Sequence, residues 1–381
     1  MSRLSNTSKR VVIVQPRLYH YRVPFYEKLK TDLAEYNIDL VFIHGKPSPQ
    51  EEKRKDEGHL PWAIRIKNIS LNIFGMEILW QPCIRHLNNA DLIIIQQENR
   101  LILNYLLFLL RKPRGWKIAF WGHGRNFQQI RDNPLRERWK RYILKKADWW
   151  FAYTALTKEI LLEEGYPQDR ITVVQNSIDT NRLKEHRNSI TNEEIDLKKK
   201  SLNLEHSKIG VFCGSLYKER LLPFLLQAAA LVRAEIGNFQ LIIIGDGPHQ
   251  EHVVKASKLF PWVHYMGPME GRDKVLILAM SDIFLNPGLV GLGILDAFTF
   301  GLPLLTTDCR GHGPEIAYLK NGYNGIMTEM DVGKYADSIG HLLKRSDLLK
   351  VISKNARYCS SQYSIEHMVG NFTDGIMKAI Q

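Results

Sequence analysis

The chain has 381 residues, of which 44% are hydrophobic, and it carries a formal net charge of +12. This length and apolar content predict a globular protein of about two domains and exclude a disordered or fibrous chain. The sequence pI of about 9.4 favours an anionic partner, such as a membrane surface, a nucleotide or a nucleic acid.

Targeting and redox features predict a cytoplasmic protein. The first apolar run, residues 11–14, has the length of a strand and is too short for a signal peptide. The four cysteines are widely spaced and form no C-x-x-C pair, so we expect them to be reduced and structural.

Short β-branched runs alternate with helix-length segments, which predicts parallel sheets with crossover helices. In the first half the predicted strands are residues 11–15, 40–43, 92–96, 118–121, 149–153 and 171–174. In the second half they are residues 209–213, 241–245, 263–266, 283–286 and 304–307. We therefore predict an α/β fold in which each half forms its own doubly wound sheet.

The connection after the first predicted strand is rich in aromatic and cationic side chains. It contains Arg17, Tyr19, His20, Tyr21 and Arg22. These residues suggest a ligand-binding surface, and the equally weighted alternative is that the two tyrosines simply pack on the domain.

Two later segments of the first half are candidates for a lipid surface. Residues 101–110 are apolar but interrupted by Asn104, and they are far shorter than the roughly 20 residues that span a bilayer. Residues 131–146 form a basic predicted helix, which favours either an anionic membrane surface or a solvated helix face. For residues 101–110 the alternative is a buried amphipathic helix.

His123 lies between two glycines, directly after a predicted strand of the first half. A lone histidine is often structural, but the carboxyl end of a parallel strand is where α/β proteins place their ligand-binding residues. We therefore take His123 as a candidate functional residue that contacts a substrate hydroxyl or positions an acceptor.

The second half contains the segment with the strongest functional signal, residues 286–316. It reads as strand end, glycine loop, helix, short strand, second glycine loop and second helix start. Unpaired N–H groups at two helix starts would favour a diphosphate or a similar anion. Asp296, one turn into the first helix, would accept hydrogen bonds from ribose hydroxyls.

Residues 214–220 form another connection between a predicted strand and a helix that is expected to begin near Leu221. Arg220 and Lys218 supply cations there, and an arginine can donate two parallel hydrogen bonds to phosphate oxygens. Such a cation would stabilise a departing diphosphate in the transition state.

Other nucleotide and metal motifs are missing from the sequence. There is no G-x-x-x-x-G-K-[ST], and residues 291–296 lack the third glycine of a dinucleotide fingerprint, which disfavours a nicotinamide enzyme. There is also no D-x-D triplet, and His249 and His252 are the only histidine pair at helical spacing. We therefore expect no metal site and no cofactor beyond a nucleotide substrate.

The second half resembles the donor-site signature of retaining GT-B glycosyltransferases of family 4, also called group 1, in their bacterial polysaccharide-assembly branch. That signature is roughly E-G-F-G-x-x-x-L-E-A-x-A-x-G-x-P followed by G-x-P-E. The matching positions are Gly291, Gly293, Asp296, Ala297, Gly301, Pro303, Gly313, Pro314 and Glu315. Two departures are Asp296 in place of a glutamate and Val290 where the first glutamate is expected, in a loop shorter by about two residues.

The resemblance implies roles for individual residues. Arg220 takes the position of the family lysine on the diphosphate, Ser215 replaces a frequent arginine, and His123 matches a histidine near the donor sugar. The implied nucleotide-sugar site is completed by a second set of residues. Its members are Gly214, Lys218, Gly291, Leu292, Gly293, Asp296 and Glu315.

The resemblance further implies two Rossmann-like domains that face each other across a cleft. We expect an acceptor domain at residues 1–190, a nucleotide-sugar domain at 191–364 and a helix at 365–381 that crosses back to the first domain. Residues 181–206, which are charged, are expected to form a linker with a surface helix.

The implied activity is metal-independent, retaining transfer of a hexosyl group from a nucleoside-diphosphate sugar to a polysaccharide, lipopolysaccharide or lipid-linked acceptor. The expected location is the cytoplasm, with peripheral contact on the inner face of the plasma membrane, and no nucleic-acid partner is expected. Two alternatives stay open: a nucleotide-sugar 2-epimerase of the same fold, and a non-catalytic sugar-nucleotide-binding protein.

Overall fold

The computed structural model describes residues 8–47, 52, 56–73, 76–124 and 134–381. The chain divides into two compact units. Unit 1 comprises residues 1–178 and 365–381, and unit 2 comprises residues 179–364. Each unit is a parallel β-sheet with α-helices packed on it, so the predicted α/β class and its two Rossmann-like domains are confirmed.

Unit 1 is built on seven parallel strands in the order β3-β2-β1-β6-β7-β8-β9. Their bounds are β1 Lys9–Gln15, β2 Ile38–Gly45, β3 Ile64–Ile66, β6 Leu92–Gln96, β7 Lys117–Gly122, β8 Trp149–Ala152 and β9 Ile171–Val173. A separate antiparallel pair joins β4 Ile69–Ile73 to β5 Met76–Trp80. The helices between strands are α1 Val23–Glu35, α2 Ile102–Arg114, α3 Pro134–Leu144 and α4 Ala155–Glu163.

Successive side chains of a strand point to opposite faces of its sheet, so each central strand of unit 1 contributes to two cores. Val11 and Ile13 of β1 pack in one apolar cluster, whereas Val12 and Val14 pack in the other. Both faces are therefore apolar and covered by helices, as parallel sheets require.

Unit 2 contains six parallel strands in the order β12-β11-β10-β13-β14-β15. Their bounds are β10 Lys208–Cys213, β11 Phe239–Ile244, β12 Val263–Gly267, β13 Ile283–Leu285, β14 Leu304–Thr307 and β15 Gly325–Thr328. The helices are α5 Thr180–Asn188, α6 Asn192–Ser201, α7 Leu222–Glu235, α8 Gln250–Leu259, α9 Gly271–Met280, α10 Gly293–Phe300, α11 Val332–Lys344 and α12 Ser346–Gln362.

All the predicted strands are present, each within two residues of its expected bounds. The sequence prediction missed β3, β4, β5 and β15, which are short or lie outside the alternation of strand and helix.

The predicted linker at residues 181–206 is instead two ordered helices, α5 and α6, and both belong to unit 2. Asp179 caps α5 by accepting a 3.0 Å bond from the Arg182 N–H. Thr191 and Glu194 form a reciprocal capping box at the start of α6. Because α5 also packs on α9 and α10, the boundary lies after Ile178 rather than at the expected residue 190.

The last helix, α13 Ile365–Ile380, belongs to unit 1 although unit 2 precedes it in the chain. It packs along α1, and its apolar side chains Met368, Phe372 and Ile376 enter the same cluster as Val11 and Ile13. The Phe372 ring stacks on the Phe151 ring with centroids 4.4 Å apart. The terminal helix is thus part of the core of unit 1.

Candidate functional site

The carboxyl edge of the unit 2 sheet has a switch point between its two central strands. β10 and β13 are hydrogen-bonded neighbours, yet the chain leaves them toward opposite sides of the sheet, because β11 lies beyond β10 and β14 lies beyond β13. In α/β proteins, ligands bind at the carboxyl ends of the strands beside such a switch point. The loops here begin at Gly214 after β10 and at Asn286 after β13.

Glycine lets the backbone segments of this edge pack directly against each other. A Cβ atom at Gly245 would lie 1.9 Å from the Gly214 carbonyl oxygen, and one at Gly247 would lie 2.8 Å from the Leu216 carbonyl oxygen. Both glycines have φ near +140 to +150°, a conformation that side chains disfavour. The loops after β10 and β11 therefore form one closely packed backbone surface.

Arg220 ends a 3-10 turn, Lys218–Arg220, directly before α7. Its guanidinium is half-buried and donates a hydrogen bond to the Leu289 carbonyl of the loop after β13. Leu289 in turn donates its N–H to the Glu219 carbonyl at 3.0 Å. Burial lowers the pKa of Arg220, although an arginine stays charged at neutral pH. Arg220 thus joins two loops of the edge and brings a cation to it.

Gly288 explains how these two loops approach so closely. A Cβ atom at this position would lie 2.1 Å from the Glu219 carbonyl oxygen and 2.6 Å from the Arg220 carbonyl carbon. In contrast, a Cβ atom at Gly291 would meet nothing within 4 Å. Gly291 was predicted from its motif, whereas Gly288 carries no motif and was not predicted.

His312 ties the loop after β13 to the loop after β14. Its Nδ1 accepts a 3.0 Å bond from the Val290 N–H, while its Nε2 donates to the Thr307 carbonyl at 2.8 Å. Gly313 N–H bonds the Val290 carbonyl at 2.8 Å. Burial lowers the pKa of His312, which agrees with the neutral ring that this pair of bonds requires. Both glycine loops are therefore held together by the backbone of Val290.

The two expected helix starts differ in kind. α10 begins at Gly293, with Leu292 as its N-cap, one residue after Gly291, so this start is present as predicted. The second start, after Gly313, is a five-residue 3-10 helix, Pro314–Tyr318, rather than an α-helix. It ends early because the Asn324 side chain bonds the Tyr318 carbonyl. Its dipole is correspondingly small.

Asp296 lies in the first turn of α10 and is buried, with 7% of the residue exposed. Its Oδ2 accepts a 2.8 Å bond from the Lys274 ammonium of α9. Its Oδ1 is buried and has no hydrogen-bond partner within the described structure. Burial alone would lower the pKa of Lys274, but the adjacent Asp296 carboxylate raises it overall, so the Lys274 ammonium is charged at neutral pH. Lys274 was not predicted from the sequence.

The predicted unit 2 residues thus surround the ends of β10, β13 and β14. Ser215 and Lys218 are exposed on the loop after β10, and Gly214 has φ +155° at its start. Glu315 is 4% exposed and turns back toward Gly313. His123 is separate, because it lies in unit 1.

Unit 1 carries a small pocket at the corresponding edge of its own sheet. Its walls include Gln15, Arg17, Tyr19, Tyr21, Arg22 and Tyr153. Arg17 and Arg22 are each 6% exposed. The aromatic and cationic residues predicted after β1 therefore line one pocket, except that His20 is not among its walls.

Stacking and ion pairing hold these side chains in place. The Arg17 guanidinium lies 3.9 Å from the Tyr19 ring centroid and pairs with Asp56 at 2.8 Å. The Tyr19 and Tyr21 rings stack with centroids 5.4 Å apart. Both tyrosines therefore pack on the domain and line the pocket, so the two alternatives for them are compatible.

Arg22 connects this pocket to residues 176–177, at the end of the first segment of unit 1. It donates hydrogen bonds to the Asn176 side chain and to the Ser177 carbonyl. His123 follows β7, and its ring lies 4.4 Å from the Tyr153 ring, centroid to centroid. Its side chain is solvent-accessible, yet the surrounding protein and the Arg22 charge lower the pKa of His123 to about 4. The imidazole is therefore neutral at physiological pH.

α2 and α3 meet on the surface of unit 1. Leu103 and Leu107 of α2 are buried, whereas Leu109 is 74% exposed. The α2 residue Tyr105 stacks on Trp139 of α3 with ring centroids 6.1 Å apart. Residues 101–110 therefore form the predicted amphipathic helix, with an apolar side chain left on its outer face.

The basic segment at residues 131–146 is described only in part, since residues 131–133 lie outside the described residues. Its helix is α3, on which Arg138, Trp139, Arg141 and Tyr142 are exposed. Across the described parts of the chain, no helix is long and apolar enough to cross a membrane. Within the same ranges, no three His, Cys, Asp or Glu residues are grouped as metal ligands.

Two family models match the chain. Residues 45–182 match the model described as Glycosyltransferase Family 4, and residues 207–345 match the model described as Glycosyl transferases group 1. The first match lies almost wholly in unit 1 and the second lies wholly in unit 2.

Curated relatives are glycosyltransferases at low identity. The chain is 24% identical over 278 residues to the putative glycosyltransferase EpsD of Bacillus subtilis, covering 69% of this chain and 70% of that one. It is 23% identical over 188 residues to the alpha-monoglucosyldiacylglycerol synthase of Acholeplasma laidlawii, covering 48% of this chain. That match spans less than half of the Acholeplasma protein, 46% of its length.

Solved structures share the whole fold. The Anabaena protein Alr3699/HepE in complex with UDP aligns with a TM-score of 0.70 at 14% identity, over 97% of this chain and 99% of that one. A glycosyltransferase from Rickettsia africae aligns with a TM-score of 0.71 at 16% identity, over 98% and 99%. With a glycosyltransferase model matched in each unit and GT-B structures aligned over both, the chain belongs to the GT-B glycosyltransferases.

Proposed function

We propose that this protein transfers a sugar from a nucleoside-diphosphate sugar to a polysaccharide or lipid-linked glycan, with retention of configuration and without a divalent metal. The observation that carries the proposal is the meeting of three loops at the carboxyl edge of the unit 2 sheet. These loops carry Arg220, the start of α10 and the Asp296 carboxylate at the same edge of the sheet.

The chemistry follows from where charge develops. Breaking the bond between the sugar and the diphosphate leaves negative charge on phosphate oxygens, and fixed donors that point there stabilise the transition state. In this proposal Arg220 and the N-terminus of α10 supply those donors, and Lys218 contributes from the exposed loop. Asp296 binds the ribose hydroxyls of the donor.

Support for a uridine nucleotide comes from the solved structures. The Anabaena protein was crystallised with UDP and with UDP-glucose. We propose the same class of donor here, with a hexose as the transferred group. Val290 stands where the family glutamate would contact the donor sugar, so the identity of the sugar is to be found by screening.

The acceptor is proposed to bind the unit 1 pocket. Aromatic rings such as Tyr19 and Tyr21 pack well against the faces of sugar rings, and Arg17 and Arg22 favour an acceptor that carries negative charge. His123, neutral and solvent-accessible, is proposed to hydrogen-bond a sugar hydroxyl. No proton transfer through His123 is needed for this role.

Peripheral contact with the inner face of the plasma membrane is the second part of the proposal. It is supported by the net charge of +12 and by the exposed side chains Leu109, Trp139 and Tyr142 beside Arg138 and Arg141. The name of the Acholeplasma relative describes a lipid product, which agrees with a lipid-linked acceptor.

The experiment that tests the function is a donor screen. UDP-, GDP-, ADP- and dTDP-sugars are compared for thermal stabilisation, because a ligand at about 100 times its Kd stabilises the folded state by roughly 2.7 kcal/mol. A matched donor is then incubated with glycan acceptors, and NMR of the product reports the anomeric configuration. Inversion would contradict the retaining mechanism.

The screen also separates this proposal from its alternatives. Formation of an epimer from UDP-N-acetylhexosamine without any acceptor would indicate the epimerase. Stabilisation by a nucleotide without sugar release on any acceptor would indicate a binding protein. Activity that EDTA abolishes and magnesium or manganese restores would contradict the metal-independent mechanism.

A further inference from the structure

Lys274 and Asp296 form a buried ion pair in unit 2, between α9 and α10. The Lys274 Nζ lies 2.8 Å from the Asp296 Oδ2, with 20% and 10% of the two side chains exposed. Asp296 lies in the first turn of α10, which follows the loop after β13 at the carboxyl edge of the sheet. The pair therefore lies at the edge of the sheet where the nucleotide is proposed to bind.

The other oxygen of the same carboxylate is left without a partner. Asp296 Oδ1 is buried and accepts no hydrogen bond within the described structure, although the side chain is nine-tenths buried. Leaving a buried charged acceptor unsatisfied is unfavourable, and folded proteins rarely do so. An ionised carboxylate oxygen can only accept, so the group that completes the site must donate.

We propose that Lys274 is a positioning residue that fixes the Asp296 carboxylate so that Oδ1 accepts a hydrogen bond from a ribose hydroxyl of the nucleoside diphosphate. The inference rests on the proposed donor class and adds a residue that selects ribose over deoxyribose. By holding Oδ2, the ammonium removes the freedom of the carboxylate to rotate.

Two other roles for Lys274 predict different behaviour. As a direct phosphate ligand, it would replace the cation that Ser215 does not supply, and its loss would weaken every nucleoside diphosphate equally. As a purely structural ion pair, it would change the melting temperature and leave the preference for ribose unchanged.

The test is a comparison of UDP with 2′-deoxy-UDP and 3′-deoxy-UDP by calorimetry. We expect the wild-type protein to bind UDP at least about tenfold more tightly than the form that lacks the recognised hydroxyl, the scale of a hydrogen bond to a charged group. Lys274→Met, which keeps much of the volume, should reduce that ratio below about threefold. The exposed Lys258→Met on α8 is the control and should leave the ratio unchanged.

A double variant distinguishes a loss of ribose recognition from a loss of folding in Lys274→Met. Removing one partner of a buried ion pair leaves an uncompensated charge and destabilises the fold, whereas neutralising both partners avoids this. Lys274→Met/Asp296→Asn should therefore melt above Lys274→Met and show the same low ribose ratio. A ratio equal to that of Asp296→Asn alone would show that Lys274 acts through Asp296.

The outcomes separate this inference from the function it rests on. A Lys274→Met protein that retains the wild-type ratio overturns the positioning role, whether affinity falls uniformly or is unchanged. If the wild-type protein does not bind UDP, the same ribose and deoxyribose forms of GDP and ADP are compared. A wild-type protein that binds none of them overturns the donor proposal itself.

Discussion

The carboxyl edges of the two sheets are built from different parts of the chain. In unit 2 the carboxyl edge is made of backbone, since glycines let the loops after β10, β11 and β13 touch one another directly. In unit 1 the same edge is made of large side chains, with Arg17 stacked on Tyr19 and Arg22 bonded to Asn176. One edge consists of closely packed backbone with a small number of charged side chains, and the other consists of aromatic rings and guanidinium groups.

This difference matters for how each edge responds to substitution. Where two backbone segments touch, as at Gly245 and Gly288, there is no room for an added Cβ atom, so a single methyl group displaces a whole loop. A surface of side chains loses only the truncated group, because its neighbours keep their own contacts. The unit 2 edge should therefore be the more sensitive of the two, and sensitive at glycines.

The largest effect is expected from Gly288→Ala. The added Cβ would lie 2.1 Å from the Glu219 carbonyl oxygen, so the loop must move and the Arg220 bond to Leu289 is lost. Overpacking of this kind costs about 1–3 kcal/mol. We expect a melting temperature lower by several degrees and donor turnover reduced by roughly 100-fold, the scale for small misplacements of catalytic groups.

Gly237→Ala is the matched control, because its added Cβ would meet nothing within 4 Å and it lies before β11, away from the carboxyl edge of the sheet. Calorimetric melting and steady-state kinetics should show it close to wild type. Equal losses in the two variants would mean that any glycine substitution has this effect and that close backbone approach at Gly288 does not matter.

A smaller effect is expected from Arg220→Ala. This variant removes a cation from the departing diphosphate, and turnover should fall by more than roughly tenfold. Lys218→Ala should do less, because Lys218 is exposed and its charge is screened by water. Steady-state kinetics with the matched donor decide between them. If the Arg220→Ala enzyme is as active as wild type, Arg220 does not stabilise the departing diphosphate. Its role would then be the structural bond to the Leu289 carbonyl.

Membrane association should change by several-fold between low and high salt. Exposed charges such as Arg138 and Arg141 are screened over about 8 Å at physiological ionic strength, so binding to anionic lipid should weaken as salt rises. Co-sedimentation with anionic vesicles measures this, and neutral vesicles are the control. Salt-insensitive binding that Leu109→Ser abolishes would instead indicate apolar insertion through α2.

The smallest effect on activity is expected from protonation of His123. Its pKa is lowered from 6.5 to about 4, so the ring is neutral over the working range and activity should show no His123 step near pH 6.5. NMR titration of the ring nitrogens should place its protonation near pH 4. Because the unfolded chain takes up this proton near pH 6.5, stability should fall as pH falls from about 6.5 toward 4. A ring that titrates near 6.5 would contradict the lowering of the His123 pKa by burial and by the Arg22 charge.

The comparison also explains which parts of the molecule could be predicted from sequence. Glycines between strands and helices are local signals, so the loops at Gly214, Gly291 and Gly313 and the start of α10 could be located from their spacing. The parallel strands followed from alternating β-branched runs. Gly288 could not be recognised, because its requirement comes from the 3-10 turn at Arg220, far away in the sequence.

The residues that were missed depend on contacts between distant elements. Lys274 carries no motif, and its importance appears only when α9 is packed beside α10. His312 offered one signal, a histidine between two glycines after a strand, the same pattern that drew attention to His123. The boundary was predicted at residue 190, whereas the units divide after Ile178. The prediction was misplaced because a charged segment without glycine indicates a linker until its caps and packing partners are known.

The bonds between Val290 and His312 make the length of one loop depend on the composition of another. Val290 gives both its N–H and its carbonyl to residues of the loop after β14, and a chain two residues longer at that point would carry these groups elsewhere. Evolution should therefore have changed the two loops together. Among relatives, we expect the short loop to occur with a histidine at the position of His312, and chains with the longer loop to be free of that requirement.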